Sequence, residues 1–333
     1  MLQLTVAAER WPMRQSFRIS GYTFTHFDII LVTLEKAGVH GRGEAAGVYY
    51  RGETPHTMAK QIEAVRTEIE AGISRDALRA VLPPGGARFA VDAALWDLEA
   101  KLTGLPVHRR VGLEGLRPLA TTYTVGADTP ARMAAVARSH FPAPRLKLKL
   151  TGDDDVARLR AVRQARPDAW IGIDANQGLT RASLAALLPL LEDLDVKLIE
   201  QPLPVGEEAD LRNIKTRIPL AADESVQCLA DLASAQGLFT VVNIKLDKCG
   251  GLTEALEMVD EIRRRGMTPM VGCMSGTSLA IAPAYLIGQF CDVVDLDAPL
   301  LLVRDREPAV VYSEGMVRCR HGWGFPTVAS EVL

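Results

Sequence analysis

The chain has 333 residues, of which 48% are hydrophobic and 24% charged, and a formal net charge of -3. That is enough apolar mass for one large core and a second, smaller one in a soluble globular protein. Acids and bases are intermixed with no long single-sign block, which argues against binding to nucleic acid or to an anionic membrane and leaves a small-molecule ligand as the expected partner.

In chain order, the stretch from Met1 to Val48 reads as strands: LQLTVAAE, FRISGYTFTHF and DIILVTLEKAGVHGRGEA, with a hairpin turn at Lys36-Ala37-Gly38. From Thr54 the apolar period becomes helical, in HTMAKQIEAVRTEIEAG, SRDALRAVLPPG and ARFAVDAALWDLEAKLTG, with Gly72, Pro83, Pro84 and Gly104 as stops. Residues 1–115 are thus expected to form an α+β capping domain. LATTYTVG then opens a strand–helix alternation: PARMAAVARSHF follows it, RLKLKL precedes DDVARLRAVRQARP, and WIGID precedes RASLAALLPLLEDL. KLIEQ is paired with EEADLRNIKTRI, PLAADE with CLADLASAQG, VVNIKL with LTEALEMVDEIRRRG, and TPMVG with SGTSLAIAPAYLIGQF, before a last strand, DVVDLDAP. Eight strands with interleaved helices predict an α/β fold, a modified TIM barrel over residues 116–300. The segment 301–333 does not continue the rhythm and is expected to pack back on the capping domain.

Five of these strands end in charge. Lys149, Asp174, Glu200, Asp223 and Lys245 follow one another at roughly 22–26 residues, about one strand plus one returning helix, which places them on one rim of a barrel. Asp174, Glu200 and Asp223 offer hard oxygen donors with no His or Cys beside them, a set that suits Mg²⁺, or Mn²⁺, better than zinc. Each acid alone could equally be a solvated loop residue or a helix cap. Lys147 and Lys149 are two residues apart and face one side of their strand, so each ammonium is expected to lower the pKa of the other toward the range of about 7 to 8 that suits a lysine base. Lys245 lies on the opposite side of the mouth, and two lysines across a metal-bound substrate can take a proton from one face of a carbon and return it to the other. Lys248 reads as a structural neighbour, with an exchange of roles between Lys245 and Lys248 as the alternative. Asp295 and Asp297, again two apart, form an acidic pair suited to a substrate ammonium, and GCMSGTS at Cys273 and Met274 reads as a pocket-lining loop.

Absences narrow the choice further. All six histidines lie outside Phe141 to Arg320, so no histidine acid or base is available from the later strands. Neither GxGxxG after a strand nor GxxxxGK[ST] occurs, which removes dinucleotide and P-loop readings. Cys228, Cys249, Cys273, Cys291 and Cys319 are odd in number and without CxxC, so reduced, packed thiols are expected. The N-terminus MLQLTVAAERW lacks a basic segment followed by an apolar one, and no apolar run has the length of a membrane span, so the expected location is cytoplasmic.

With KLK at Lys147, IDAN at Asp174, IEQPLP at Glu200, ADES at Asp223, NIKLDKCGGLTEA at Lys245 and ALWDLEAKLTGLPV at Ala94, the chain resembles the muconate-lactonising-enzyme subgroup of the enolase superfamily over nearly its whole length. DLDAP at Asp295 to Asp297 is similar to the mark of its dipeptide epimerases, of the L-Ala-D/L-Glu epimerase kind. The resemblance implies an isomerase that inverts the second residue of an L,L-dipeptide. The substrate carboxylate would chelate Mg²⁺ held by Asp174, Glu200 and Asp223, Lys149 and Lys245 would be the two bases, and Lys147 would assist Lys149. The aspartate pair would hold the N-terminal ammonium. It also implies specificity set by a capping-domain loop. Here that loop, Ser20 to His26, carries Tyr22 and Phe24 but no Arg, which favours an apolar or aromatic C-terminal side chain over Glu, with Arg51 in VYYRGET as a remaining partner for an acid. Family members often assemble, so a homo-oligomer stays open. The alternatives are an N-acylamino-acid racemase, a muconate cycloisomerase or an o-succinylbenzoate synthase on the same lysines and metal. A non-catalytic metabolite-binding barrel is the alternative of a different class.

Overall fold

The computed structural model describes residues 2–326. Met1 and the last seven residues of the expected 301–333 segment lie outside the described residues. Strands β1 (Gln3–Ile19), β2 (Tyr22–Lys36) and β3 (Val39–Ala45) form an antiparallel sheet in that order. Alternation along β2 turns Ile30, Val32 and Leu34 inward, where none retains solvent exposure. The hairpin at Ala37-Gly38 forms as expected, with φ of 53° and 76°. FRISGYTFTHF is not one strand, however. It folds back at Ser20-Gly21, where Gly21 takes φ 75°, and β1 instead runs on through Pro12, with a register irregularity between Pro12 and Phe17. Proline cannot donate to a ladder, so the irregularity sits on this edge strand.

Four helices follow, α1 (Pro55–Ala64), α2 (Arg66–Glu70), α3 (Arg75–Val81) and α4 (Gly86–Thr103), with a last turn α5 (Val107–Arg110). The single helix expected over 56–72 breaks at Val65, whose φ of -121° is not helical. The sheet packs on α4 at the closest range possible: a Cβ on Gly41 would lie 2.3 Å from the Ala94 carbonyl, and one on Gly43 2.0 Å from that of Ala90. Only glycine allows backbone to meet backbone there.

The remainder alternates strand and helix: β4 (Leu119–Ala120), β5 (Tyr123–Val125), α6 (Pro130–Ser139), β6 (Arg145–Lys149), α7 (Asp155–Ala165), β7 (Trp170–Asp174), α8 (Arg181–Asp193), β8 (Val196–Glu200) and β9 (Leu220–Ala222). It continues with α9 (Leu232–Ala235), β10 (Val241–Ile244), α10 (Leu246–Cys249), α11 (Leu252–Arg264), β11 (Thr268–Gly272), α12 (Ser278–Gly288) and β12 (Val293–Asp295). Strands β5 to β12 form one parallel eight-stranded sheet in sequence order. Its two ends meet where Thr122 N donates to the Val294 carbonyl at 3.0 Å, so the sheet curls into a barrel. Leu198, Ala221, Val241 and Met270 plug its interior.

Local details differ from expectation for identifiable reasons. LATTYTVG splits, because β4 pairs with β14 (Met316–Arg318) of a hairpin begun by β13 (Val311–Ser313), and only β5 enters the barrel. EEADLRNIKTRI forms only a 3-10 turn over Glu208–Asn213, whose single buried residue, Leu211, anchors too little for a full α-helix. CLADLASAQG likewise yields a short 3-10 turn and the one-turn α9. After the barrel the chain returns across the N-terminal elements: Leu302 bridges Met13, Trp323 Nε1 donates to the Ala93 carbonyl at 3.0 Å, and Arg306 pairs with Glu9 and Glu44. Asp247 Oδ1 accepts from the backbone N–H groups of Ala46 and Gly47 at 3.0 and 2.9 Å, joining the sheet to the barrel rim. No described helix is long and apolar enough to cross a membrane.

Candidate active site

Parallel register places charged residues side by side at the C-terminal ends of the strands. Lys149 lies opposite Asp174 and Asp174 opposite Glu200, while Asp223 follows the end of β9. Asp174, Glu200 and Asp223 each bring a carboxylate oxygen within 4.8 Å of the other two, and all three are buried. The charges are distributed unevenly. Burial pushes the Asp174 carboxyl up, but Lys149 and Lys147 hold it down to about 2. Glu200 is pushed up to about 8 by burial and by the neighbouring charge of Asp174. Its Oε1 accepts from Asn243 Nδ2 at 2.9 Å, and its buried Oε2 lies 2.8 Å from the Lys147 ammonium. Three buried carboxylates converging within 4.8 Å of one another, with no His or Cys among them, fit a divalent cation that prefers oxygen.

The lysines sort by what they touch. Lys147 Nζ reaches Asp295 at 2.6 Å, Glu200 at 2.8 Å and Asp174 at 3.1 Å. The expectation that its ammonium would be easier to deprotonate is therefore overturned. Burial does pull its pKa down, but Asp295, Glu200, Asp174 and Asp223 together lift it well above the ordinary lysine value. Four carboxylates outweigh one neighbouring ammonium. Lys149 Nζ donates to Asp174 Oδ2 at 2.6 Å and to Asn176 Oδ1 at 3.1 Å. Lys245 Nζ donates to Asp223 Oδ2 at 2.5 Å. In the eight-strand order β6 and β10 stand four steps apart, half way round the barrel, so Lys149 and Lys245 face the mouth from opposite sides. Lys248 is buried and spends its ammonium on the Asp223 carbonyl at 2.5 Å, Asp223 Oδ1 at 2.7 Å and the Asn243 carbonyl at 3.0 Å. Lys245 lines the cavity and Lys248 does not, which speaks against exchanging their roles.

Asp295 and Asp297 do not share one environment. Asp295 holds Lys147 and accepts from Thr122, and Lys147 keeps its carboxyl low against the effect of burial. Asp297 accepts from Thr124 N at 2.6 Å and Thr124 Oγ1 at 3.2 Å, and burial together with Asp295 lifts it to about 6. No cation balances Asp297 directly among the described residues.

The cavity between these groups holds ≈ 90 Å³ and is lined by Lys147, Lys149, Lys245, Asp295 and Asp297 below, with Phe17, Phe24, Phe27, Tyr49 and Tyr50 above. Phe24, Cys273 and Met274 take the expected positions in its wall, but Tyr22 and Arg51 do not. Tyr22 is 46% exposed and packs edge-on against Tyr49 at 4.6 Å, outside the lining. Arg51 is exposed, since the 3-10 turn Tyr49–Arg51 turns both tyrosines to the mouth and the arginine away. No arginine lines the cavity among the described residues. Sequence reading overlooked Tyr49, Tyr50, Phe17, Thr124, Asn176 and Glu224. Asn176 and Glu224 stand next to the charged strand ends and could have been flagged by that adjacency, whereas the aromatic residues carry no local signal.

Comparison with known proteins agrees with this layout. A family model described as "Mandelate racemase / muconate lactonizing enzyme, N-terminal domain" matches residues 1–112, and "Enolase C-terminal domain-like" matches 129–327. The L-Ala-D/L-Glu epimerase of Escherichia coli K12 is 37% identical over 95% of this chain and 99% of its own. An N-acetyl-D-glutamate racemase from Pseudoalteromonas is 37% identical over 87% of this chain and 92% of its own. Among solved structures, an Agrobacterium tumefaciens enolase family member with homology to dipeptide epimerases, with bound sodium and L-Ala-L-Glu, is 43% identical with a TM-score of 0.93 over 98% of both chains. A Methylococcus capsulatus dipeptide epimerase complexed with Mg and L-Arg-D-Lys is 30% identical with a TM-score of 0.89, covering 97% of this chain and 98% of its own.

Proposed function

The chain belongs to the mandelate racemase / muconate lactonizing enzyme family, and from that premise we propose that it is a Mg²⁺-dependent dipeptide epimerase inverting the α-carbon of the C-terminal residue. The observation that carries this reading is the pair of lysines, Lys149 and Lys245, facing one small cavity from opposite sides with Asp297 in its wall. Asp174, Glu200 and Asp223 would hold the ion. Bound there, it supplies positive charge to the substrate carboxylate and so makes the adjacent α-proton more acidic. One lysine accepts that proton from one face of the carbon, and the other, protonated, delivers a proton to the opposite face. Lys147, cationic in its nest of carboxylates, adds positive charge where negative charge develops. Asp297, with Asp295 beside it, receives the substrate ammonium by charge-assisted hydrogen bonds.

The cap supports an apolar or aromatic C-terminal side chain, because the wall above the lysines is Phe17, Phe24, Tyr49 and Tyr50, with Met274 from the barrel beside them and no arginine among the described lining residues. Relatives named for Ala-Glu make this preference testable. The free ammonium separates the reading from an N-acylamino-acid racemase, whose substrates leave Asp297 without a cation. A cytoplasmic location remains part of the reading.

The test is α-proton exchange by mass spectrometry with Mg²⁺ in D₂O, on a panel of L-Ala-L-Xaa dipeptides beside N-acylated amino acids. Deuterium in the free dipeptides, most in those with apolar Xaa, is the expected outcome. Exchange confined to N-acylated compounds would transfer the assignment to the racemases, and Ala-Glu as the best substrate would overturn the side-chain preference.

A further inference from the structure

Lys149 and Lys245 are not held in the same way. Lys245 Nζ has one protein partner among the described residues, Asp223 Oδ2 at 2.5 Å. Lys149 has two, and only one of them belongs to the carboxylate triad: Asp174 Oδ2 at 2.6 Å and the side-chain oxygen of Asn176 at 3.1 Å. An ion in the triad would draw on Asp174, which leaves the neutral amide as the partner that stays with the lysine.

That amide can be oriented in only one way. Its oxygen meets an ammonium, which only donates, and its Nδ2 donates to Glu224 Oε1 at 3.2 Å, on a group that accepts when ionised. Turning the amide over would break both contacts. The backbone commits to the same arrangement. Asn176 has φ 42° and Gln177 φ 65°, two left-handed residues in succession, and Asn176 N donates to Asp174 Oδ1 at 2.9 Å. Such conformations persist where the surroundings over-determine them, and asparagine tolerates them better than most residues. Glu224 is 5% exposed, lines the cavity, and has an Oε2 without a partner among the described residues. It is tied from behind, where Gln227 Nε2 donates to its carbonyl at 2.7 Å. A buried carboxylate in the wall with one oxygen engaged only by Asn176 Nδ2 has orientation of that amide as its visible work.

We propose that Asn176 and Glu224 are positioning residues for Lys149 alone, an amide clamp that fixes its Nζ against one face of the substrate α-carbon, and that Lys245 works without a counterpart. The inference rests on the epimerase reading and deepens it. In the step concerned, the α C–H bond breaks, its electron pair stays with the substrate and delocalises into the carboxylate, and the proton forms an N–H bond with the neutral Lys149 amine. The reverse step returns a proton from the Lys149 ammonium to the same face. Lys245 makes no hydrogen bond to either of these groups, and the Glu224 charge acts on it only through space.

The experiment measures α-deuterium uptake in D₂O from each epimer of one dipeptide separately, in parent, Asn176→Ala, Glu224→Leu and Glu224→Gln enzymes with saturating Mg²⁺. Misplacing a base by about 1 Å costs on the order of 100-fold. Asn176→Ala and Glu224→Leu are expected to slow uptake into the epimer whose α-proton faces Lys149 by roughly 10- to 100-fold. Uptake into the other epimer should stay within about threefold, so that exchange outruns inversion when that epimer is the starting material. Glu224→Gln, which still offers Asn176 an acceptor oxygen, should recover most of the loss. Equal loss on both epimers, or unchanged exchange on both, overturns the clamp. Calorimetric Mg²⁺ binding by each variant guards against a lost ion, since weakened binding with equal loss on both faces would show a purely structural role. A parent enzyme that exchanges neither epimer of any dipeptide refutes the epimerase reading itself, a different outcome from failure of the clamp.

Discussion

Replacing Lys248 by Met should destabilise the fold rather than merely inactivate the protein. Its ammonium is 1% exposed and donates to Asp223 Oδ1 and to two main-chain carbonyls, those of Asp223 and Asn243. Methionine fills a similar volume but leaves both carbonyls without this donor and half of Asp223 unanswered. Removing one partner of a buried ion pair costs about 3–5 kcal/mol, and at an unfolding entropy of about 2.1 cal/mol/K per residue over 333 residues, roughly 1.4 °C per kcal/mol, the melting temperature should fall by about 4–7 °C. Lys245→Met is the control. Lys245 also pairs with Asp223, but it lines the cavity, where water can reach the carboxylate it leaves behind, so its loss should cost less than half as much. Thermal unfolding of the metal-free proteins in excess chelator, followed by circular dichroism, separates stability from metal binding. A Lys248→Met protein with the parental melting temperature that had lost exchange at one face, beside a Lys245→Met protein that still turned over, would refute the assignment and exchange the two roles.

Lys149→Ala and Lys245→Ala should each abolish α-deuterium uptake into one epimer, by about 10²- to 10⁴-fold, and into opposite epimers. Loss of the same epimer in both variants would contradict their placement across the mouth. Asp297→Asn should lower kcat/KM on free dipeptides by roughly 10- to 100-fold, since a hydrogen bond to a charged group contributes about 1.5–3 kcal/mol, while leaving any N-acylated substrate less affected. Unaltered kinetics would remove Asp297 from ammonium binding. Mg²⁺ at 100 times its Kd should stabilise the chelated protein by about 2.7 kcal/mol, read as a rise in melting temperature that Asp174→Asn reduces. Asp247 supplies a pH prediction. Burial lifts its carboxyl to about 7, so between its unfolded value and 7 the folded protein binds more protons than the unfolded one, and this residue's contribution to stability falls as pH rises through that window. Asp247→Asn keeps an oxygen for Ala46 N and Gly47 N and should flatten that slope, so its melting temperature relative to the parent rises from pH 5 to pH 8.

The eight strands, the antiparallel sheet before them and the acid triad were legible in sequence because their signals are local. A strand buried on both sides must be largely apolar, and a charged residue at its C-terminal end marks where it reaches the rim, as at Lys149, Asp174, Glu200 and Lys245. The short turns after Glu200 and Asp223 were over-read as helices, since their composition allows a helix that too few buried side chains sustain.

What tertiary structure alone decided is which distant groups meet. Whether the charge beside Lys147 is another ammonium or four carboxylates depends on strands up to about 150 residues away curling into the same barrel, and that reversed the direction of its pKa shift. The same closure joined Asn176 to Glu224 and put Tyr49 and Tyr50, rather than Tyr22 and Arg51, at the mouth. A residue's chemical type and the end of its strand are written in nearest neighbours along the chain. Its electrostatic environment sums over neighbours in space, and for a buried charge those are mostly residues far away in sequence.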